Sequence, residues 1–242
     1  MSTQQRTSLY KVIVLIGFAG LLAACSTFDP PKHIDTQDWH TAMREVVTEY
    51  APVIEPRLIP YFQRAGIEYP PTSATLLTFK YERRMELWAR GHGTPWRFVK
   101  DYSLQASSGG PGPKLREADR QIPEGIYNIV ELNPFSRLRL SMKLNYPNDF
   151  DMYHARQEGR SDLGGDIFIH GDKLSVGCLA IGDSSIDELF VLAAKTGIEN
   201  IRVIIAPNDL RLHSPLNMDH DTPSWISALD DKLESALIPF KV

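Results

Sequence analysis

The sequence predicts a sheet-rich α+β domain with helices at its periphery. Three observations carry this. Apolar residues recur at three- and four-residue spacing before residue 66, then change to alternation from Thr75. Several short alternating segments follow, separated by clusters of Gly, Pro, Ser and Asn. The chain closes with a helical pattern, one apolar run and a second helical pattern.

Taken in order, Trp39, Met43, Val46, Val47 and Tyr50 share one face of a helix expected from Asp35 to Tyr50, with Asp35, Thr36 or Asp38 as its cap. Pro52, Pro56 and Pro60 are expected to break that path. A second short helix is expected from Arg57 to Ala65, ending at Gly66, and Pro70-Pro71 closes what reads as a helical collar. Strands follow around Thr75, Leu77 and Phe79, then Met85, Leu87 and Ala89, then Trp96, Phe98, Lys100 and Tyr102. Gly91-His92-Gly93-Thr94 is the turn between the last two. Ser107 to Pro113 is a loop. Lacking a Gly-Lys-Ser/Thr ending and a following helix, it is not a phosphate cradle. Gly125 to Glu131 and Leu138 to Leu144 read as strands, and Tyr146-Pro147-Asn148-Asp149 as a turn. Ile167 to Ile169 is a strand that delivers His170. Asp183 or Ser184 caps a helix to about Lys195, with Ile186, Leu189, Phe190 and Ala193 inward and Gly197 as its stop. Ile201 to Ile205 is a core strand. Pro223 to Leu237 is a terminal helix with Trp225, Leu229 and Leu233 on one face.

The N-terminus reads as a targeting segment. Arg6 and Lys11 precede an apolar run, Val12 to Leu22, that is short of the roughly 20 residues a membrane span needs. It ends in Leu22-Ala23-Ala24-Cys25, which resembles the bacterial lipobox. The resemblance implies cleavage before Cys25, lipidation of Cys25 and stable anchoring by several acyl chains. Ser26, in the place where Asp would retain a lipoprotein at the inner membrane, implies the periplasmic face of the outer membrane. The chain without residues 1–24 holds 24 basic and 30 acidic residues, a balance that argues against a nucleic-acid partner.

With Cys25 lipidated, Cys178 is the one cysteine left in the mature chain. Its surroundings favour chemistry over packing. His170 leaves an apolar strand eight residues earlier, and Gly177 directly precedes the thiol. A thiol attacks as its thiolate, a histidine takes the proton, and a small residue beside it lets a carbonyl approach. Backbone N–H groups of Gly177 and Cys178 are natural oxyanion donors, and Ser175, Asp172 and backbone carbonyls are candidates to orient the imidazole. On composition alone, a buried structural Cys178 with a turn His170 carries comparable weight.

Ile169-His170-Gly171 followed by Ser175-Val176-Gly177-Cys178 resembles the signature of the L,D-transpeptidase (YkuD-type) catalytic domain, and more closely its YafK-like murein branch. The blocks Gly112 to Glu117, Gln121 to Tyr127 and Leu144 to Asp149 add to the likeness, which spans about Thr75 to Pro207. It implies a β-sandwich-like core, a cysteine acyl-enzyme and peptidoglycan stem peptides as substrate. Cys178 would be the nucleophile and His170 the proton carrier, with Ser175 and Gly177 flanking the thiol. Where the broad family has a His two residues before the Cys, this chain has Val176, and after it stand Leu179, Ala180 and Ile181.

The implied organisation is a signal peptide over 1–24, a tether and collar over 25–74, a catalytic domain over 75–207 and a helical extension over 208–242. The thioester passes to an amine, forming a cross-link or attaching a protein to the wall, or to water, trimming a stem or releasing a wall-linked lipoprotein. A non-catalytic peptidoglycan-binding lipoprotein is the alternative of another class. No cofactor or metal is implied, because His33, His40, His92, His154, His213 and His220 show no ligand spacing with Cys178. His92, Arg83, Arg84, Lys114 and Arg116 are weighed as cleft residues, against exposed turn and surface roles. Tyr146, Trp88 and Trp96 read better as core.

Overall fold

The computed structural model describes residues 36–216 and 223–241. The expected signal peptide and tether, Cys25 included, lie outside the described residues.

The collar is one helix, α1 (Thr36–Ala65), which runs through Pro52, Pro56 and Pro60. The expected break does not occur. Each proline forfeits one i→i−4 hydrogen bond, but the three stand four residues apart on one exposed strip, where water can serve the orphaned carbonyls. The opposite face buries Ala51, Ile54, Leu58 and Phe62. Complete burial of Leu58 and Phe62, at about 1.5–3 kcal/mol each, offsets much of what the prolines cost.

Eight strands form one mixed sheet in the order β3-β2-β1-β8-β4-β5-β6-β7. They are β1 (Ser73–Phe79), β2 (Arg84–Arg90), β3 (Arg97–Ser103), β4 (Gly125–Asn133), β5 (Ser141–Leu144), β6 (Phe168–His170), β7 (Leu179–Ala180) and β8 (Ile201–Ala206). The pairs β1–β8 and β6–β7 are parallel and the rest antiparallel. β4 pairs β8 through Gly125–Asn128 and β5 through Ile129–Asn133, with a register shift between Ile129 and Glu131. That irregularity curls the sheet. An isolated bridge, Ala106 to Ala180, then links the chain leaving β3 to the edge strand β7. The curled sheet thus has the sandwich-like character expected of it.

Helices α1 and α3 (Asp183–Thr196) cover one face of the sheet, packing on a cluster that includes Leu76, Met85, Leu87, Val203 and Ile205. Helix α4 (Ile226–Leu237) covers the other, where Leu229, Leu233 and Leu237 meet Leu77, Phe79, Trp88 and Ile204. Two-sided cover explains why β1 is buried at every position from Ala74 to Phe79 rather than at alternate ones.

Three local expectations are corrected, and one strand is added. Asn148 caps a helix, α2 (Asp149–Gln157), through a capping box with Asp151, so the expected turn continues into a helix. β5 begins at Ser141 rather than Leu138, because Leu138 to Leu140 turn around the loop that receives Gly171. β7 was not legible, being two residues long. The N-cap of α3 is Gly182, which makes no side-chain cap. The Asp183 carboxylate is drawn away to accept the Asp172 N–H at 2.7 Å.

Candidate active site

The site forms where the short strands end. Ile169 pairs with Leu179 and His170 with Ala180 in parallel register. His170 closes β6, and Cys178 stands in the bend directly before its parallel partner β7, so the two neighbouring strands carry the histidine and the thiol at the same edge of the sheet. Parallel strands ordinarily need a dozen or more residues of crossover; here the turn Gly171 to Cys178 suffices. It is pinned by the Asp183–Asp172 hydrogen bond and by Ile181 N–H donating to the His170 carbonyl at 3.0 Å. Gly171 is required at its start, since a Cβ there would meet Asp183 Oδ1 at 2.6 Å and the Leu138 carbonyl oxygen at 2.8 Å.

His170 is fully buried. Its Nδ1 lies 2.5 Å from the Gly171 carbonyl oxygen. A carbonyl only accepts, so Nδ1 carries the hydrogen and Nε2 presents its lone pair. Nε2 is buried and has no hydrogen-bond partner among the described residues. Burial pushes the imidazole below the ordinary histidine range, opposed by the Gly171 carbonyl and the Asp172 charge. The ring is therefore kept neutral, in the form that accepts a proton.

Cys178 is buried at 3% exposure, with Sγ 3.8 Å from the Asp166 carbonyl oxygen. Ser175 Oγ donates to the Cys178 carbonyl at 2.5 Å, fixing the loop rather than the imidazole. The Gly177 N–H, expected as an oxyanion donor, donates instead to Ser108 Oγ at 2.6 Å. The reason is the loop 107–113, which sequence reading left without a role. It lies across the turn that carries Cys178, tied at its start by Gln105 N–H to the Ala180 carbonyl at 2.8 Å. Asp172, also expected to orient the ring, acts on His170 through its charge.

A buried ion pair holds the same loop. Lys80 Nζ reaches Glu124 Oε1 at 2.9 Å and the carbonyls of Gly112 and Ile122 at 2.7 and 3.0 Å. Glu124 also accepts the Gly112 N–H at 2.9 Å. Burial pushes the Lys80 ammonium down and the Glu124 carboxyl up, each opposed by its partner. None of Lys80, Glu124 and Ser108 was legible as part of the site, because no periodicity or motif joins them to Cys178. The run of glycines at 109, 110 and 112 was the one available signal.

The remaining residues weighed from sequence fall elsewhere or serve structure. His92 is exposed in the β2–β3 turn, at the far end of β3 from the segment that reaches β7. Arg84 pairs with Asp209 at 2.8 Å and Glu86 at 3.0 Å. Lys114 is buried on Asp119 and the Arg116 carbonyl, and Arg116 is exposed. Tyr146 is buried, its hydroxyl donating to the Leu163 carbonyl at 3.2 Å. Trp88 is buried and Trp96 stands against Phe240. Among the described residues, no His/Cys/Asp/Glu group is arranged to hold a metal.

Residues 74–205, more than half the chain, match the L,D-transpeptidase catalytic domain (YkuD), and the chain belongs to that family. Over 134 residues it is 34% identical to the Escherichia coli K12 protein named "Putative L,D-transpeptidase YafK", covering 53% of this chain and 52% of that protein. The protein of the same name from Escherichia coli O157:H7 gives the same figures. The chain thus spans about half the length of the curated relatives it matches. Among solved structures it is similar to the helical cell shape determining protein Pgp2 of Campylobacter jejuni, at 18% identity and TM-score 0.47, over 67% of this chain and 52% of that one. Bd1075 of Bdellovibrio bacteriovorus is similar at 20% identity and TM-score 0.39, over 69% and 55%.

Proposed function

We propose that this chain is a cysteine acyltransferase that acts on peptidoglycan stem peptides, with Cys178 as nucleophile and His170 as its base. The observation that carries the reading is the buried imidazole at the end of β6, its Nδ1 on the Gly171 carbonyl and its Nε2 buried without a hydrogen-bond partner among the described residues, with Cys178 directly before the paired strand β7. His170 Nε2 takes the Cys178 proton. The thiolate attacks the carbonyl at the L-centre of the stem-peptide diamino acid, and the Cys178 backbone N–H supports the oxyanion. The C–N bond breaks, His170 returns the proton to the departing amine, and a thioester remains. An amine acceptor then resolves it as a cross-link or protein attachment. Resolution by water gives the hydrolytic reading from the same intermediate. The expected lipid anchor at Cys25 would hold this chemistry at the periplasmic face of the outer membrane.

The test incubates the purified full chain with muropeptides and with sacculi carrying linked protein, reading products and intact protein mass. An adduct on Cys178 with new amide bonds is the expected result. An adduct with only shortened stems or released protein assigns the hydrolase. Cys178→Ala is expected to lower turnover by about 10³-fold or more. Equal turnover by that variant would overturn the reading.

A further inference from the structure

The loop 107–113 is locked onto the nucleophile turn far more closely than a surface connection requires. Its glycines permit contacts that a Cβ would forbid. At Gly109, with φ +80°, a Cβ would run into the Gln121 side chain. At Gly177, with φ +94°, it would stand 3.2 Å from the Gln121 carbonyl oxygen. Gln121 therefore sits between the loop and the nucleophile turn, and its Oε1 accepts the Gly110 N–H at 3.2 Å. Behind it stands the Lys80–Glu124 pair, with side chains 5% and 0% exposed. A buried ion pair is a weak source of net stability. This one spends its hydrogen bonds on the backbone at Gly112 and Ile122, which fixes where the loop lies.

This scaffold carries Ser108 into the turn at Cys178, its Oγ 2.6 Å from the Gly177 nitrogen. Ser175 holds the carbonyl on the other side of the same peptide stretch. The backbone around Cys178 is thus gripped at both ends by serine hydroxyls.

We propose that Ser108 is a positioning residue for acyl transfer: by gripping the Gly177 N–H, it sets the direction in which the Cys178 peptide meets the developing oxyanion. The inference rests on Cys178 being the nucleophile and is independent of which acyl donor the protein uses. The Ser108 hydroxyl is committed to the Gly177 N–H, so its loss is expected to disturb the backbone that meets the oxyanion more than thiolate formation. Donors at an oxyanion must be placed before the reaction, and small misplacements are expensive.

Two small reagents separate these effects in the full chain. p-Nitrophenyl acetate acylates the thiol through a tetrahedral oxyanion: the C–S bond forms and p-nitrophenolate leaves. Iodoacetamide alkylates it by direct displacement of iodide, with no oxyanion. Ser108→Ala is expected to slow acylation about 10- to 100-fold and leave alkylation within about twofold. Ser108→Thr, which keeps the hydroxyl, should recover most of the acylation rate. On stem peptides the Ala variant should lose kcat with KM unchanged. Equal slowing of both reagents would assign Ser108 a merely structural role, and unchanged acylation would remove it from the reaction; either overturns the inference. A wild-type thiol inert to both sinks the nucleophile reading and this one together. A wild-type thiol that reacts with both reagents and yields no stem-peptide product overturns the substrate assignment alone, and the two rates still decide Ser108.

Discussion

The collar side of the sheet and the side that carries Cys178 share an apolar core and differ in what fixes their loops. Around β1, β2 and β8, strands of six or seven residues lie between two apolar clusters under helices on both faces, with one charged network, Arg84 and Arg211 on Glu86 and Asp209, beside them. Around β6 and β7, strands of three and two residues put Ile169 and Leu179 into the same apolar cluster, and the turn between them is set by single directed bonds: Gly177 to Ser108, Ser175 to Cys178, Asp172 to Asp183, and Lys80 with Glu124 behind them. Apolar packing is non-directional and supplies stability. Hydrogen bonds of defined geometry supply little net stability and much orientation. Apolar packing secures both regions, and the turn that carries Cys178 adds directed bonds that aim it.

Breaking the buried pair tests that division hardest. Lys80→Met leaves the Glu124 charge buried and alone, and is expected to cost about 3–5 kcal/mol in urea unfolding. Lys80→Met with Glu124→Gln should recover part of that, since no charge then stays buried. A loss below about 1 kcal/mol in the single variant would show that the pair does not hold the loop. On the collar side, Leu58→Ala should cost about 2–4 kcal/mol by leaving a cavity, while iodoacetamide alkylation of Cys178 under native conditions stays unchanged. A parallel fall in alkylation rate would mean that the two regions are coupled.

Pro56→Ala is expected to act in the opposite direction. It restores an N–H to an exposed position of α1 and should stabilise by about 1–3 kcal/mol, read from the urea midpoint. Destabilisation would show instead that the prolines bend the helix onto the sheet. The smallest expected effect is the pH dependence contributed by His170. Burial lowers its pKa in the folded chain, so the unfolded chain binds more protons below about pH 6.5. Its contribution to stability is therefore fully present above that pH and is lost as pH falls toward the folded-state pKa. Unfolding of Cys178→Ala between pH 7.5 and 5 should show this slope, and His170→Gln in the same background should remove it. A slope that survives the substitution would assign it to another group.

The legible parts of the fold are those that repeat. Alternation located β1 to β3 within a residue or two of their observed ends, and three- and four-residue spacing located α3, α4 and the apolar face of α1. Local rules failed where tertiary burial overruled them. The prolines of α1 argue for a break that Leu58 and Phe62 prevent, and the Asp183 carboxylate leaves its helix cap for the nucleophile turn. Of the site, His170 and Cys178 were legible as a pair because the same turn carries them. The Gly177 N–H was assigned to an oxyanion that Ser108 now forestalls.

The sequence by itself determined the α+β class with peripheral helices and the resemblance to the L,D-transpeptidase catalytic domain, and it singled out Cys178 and His170 as candidates, since each is written in adjacent residues or in a short period. The tertiary structure alone decided the imidazole tautomer, the strap of Ser108 over Gly177 and the lock of Lys80 on Glu124. The last two join residues 69 and 44 positions apart, and long loop closures of that kind leave no period in the chain for a local reading to detect; the tautomer rests on an adjacent carbonyl that only the folded backbone turns toward Nδ1.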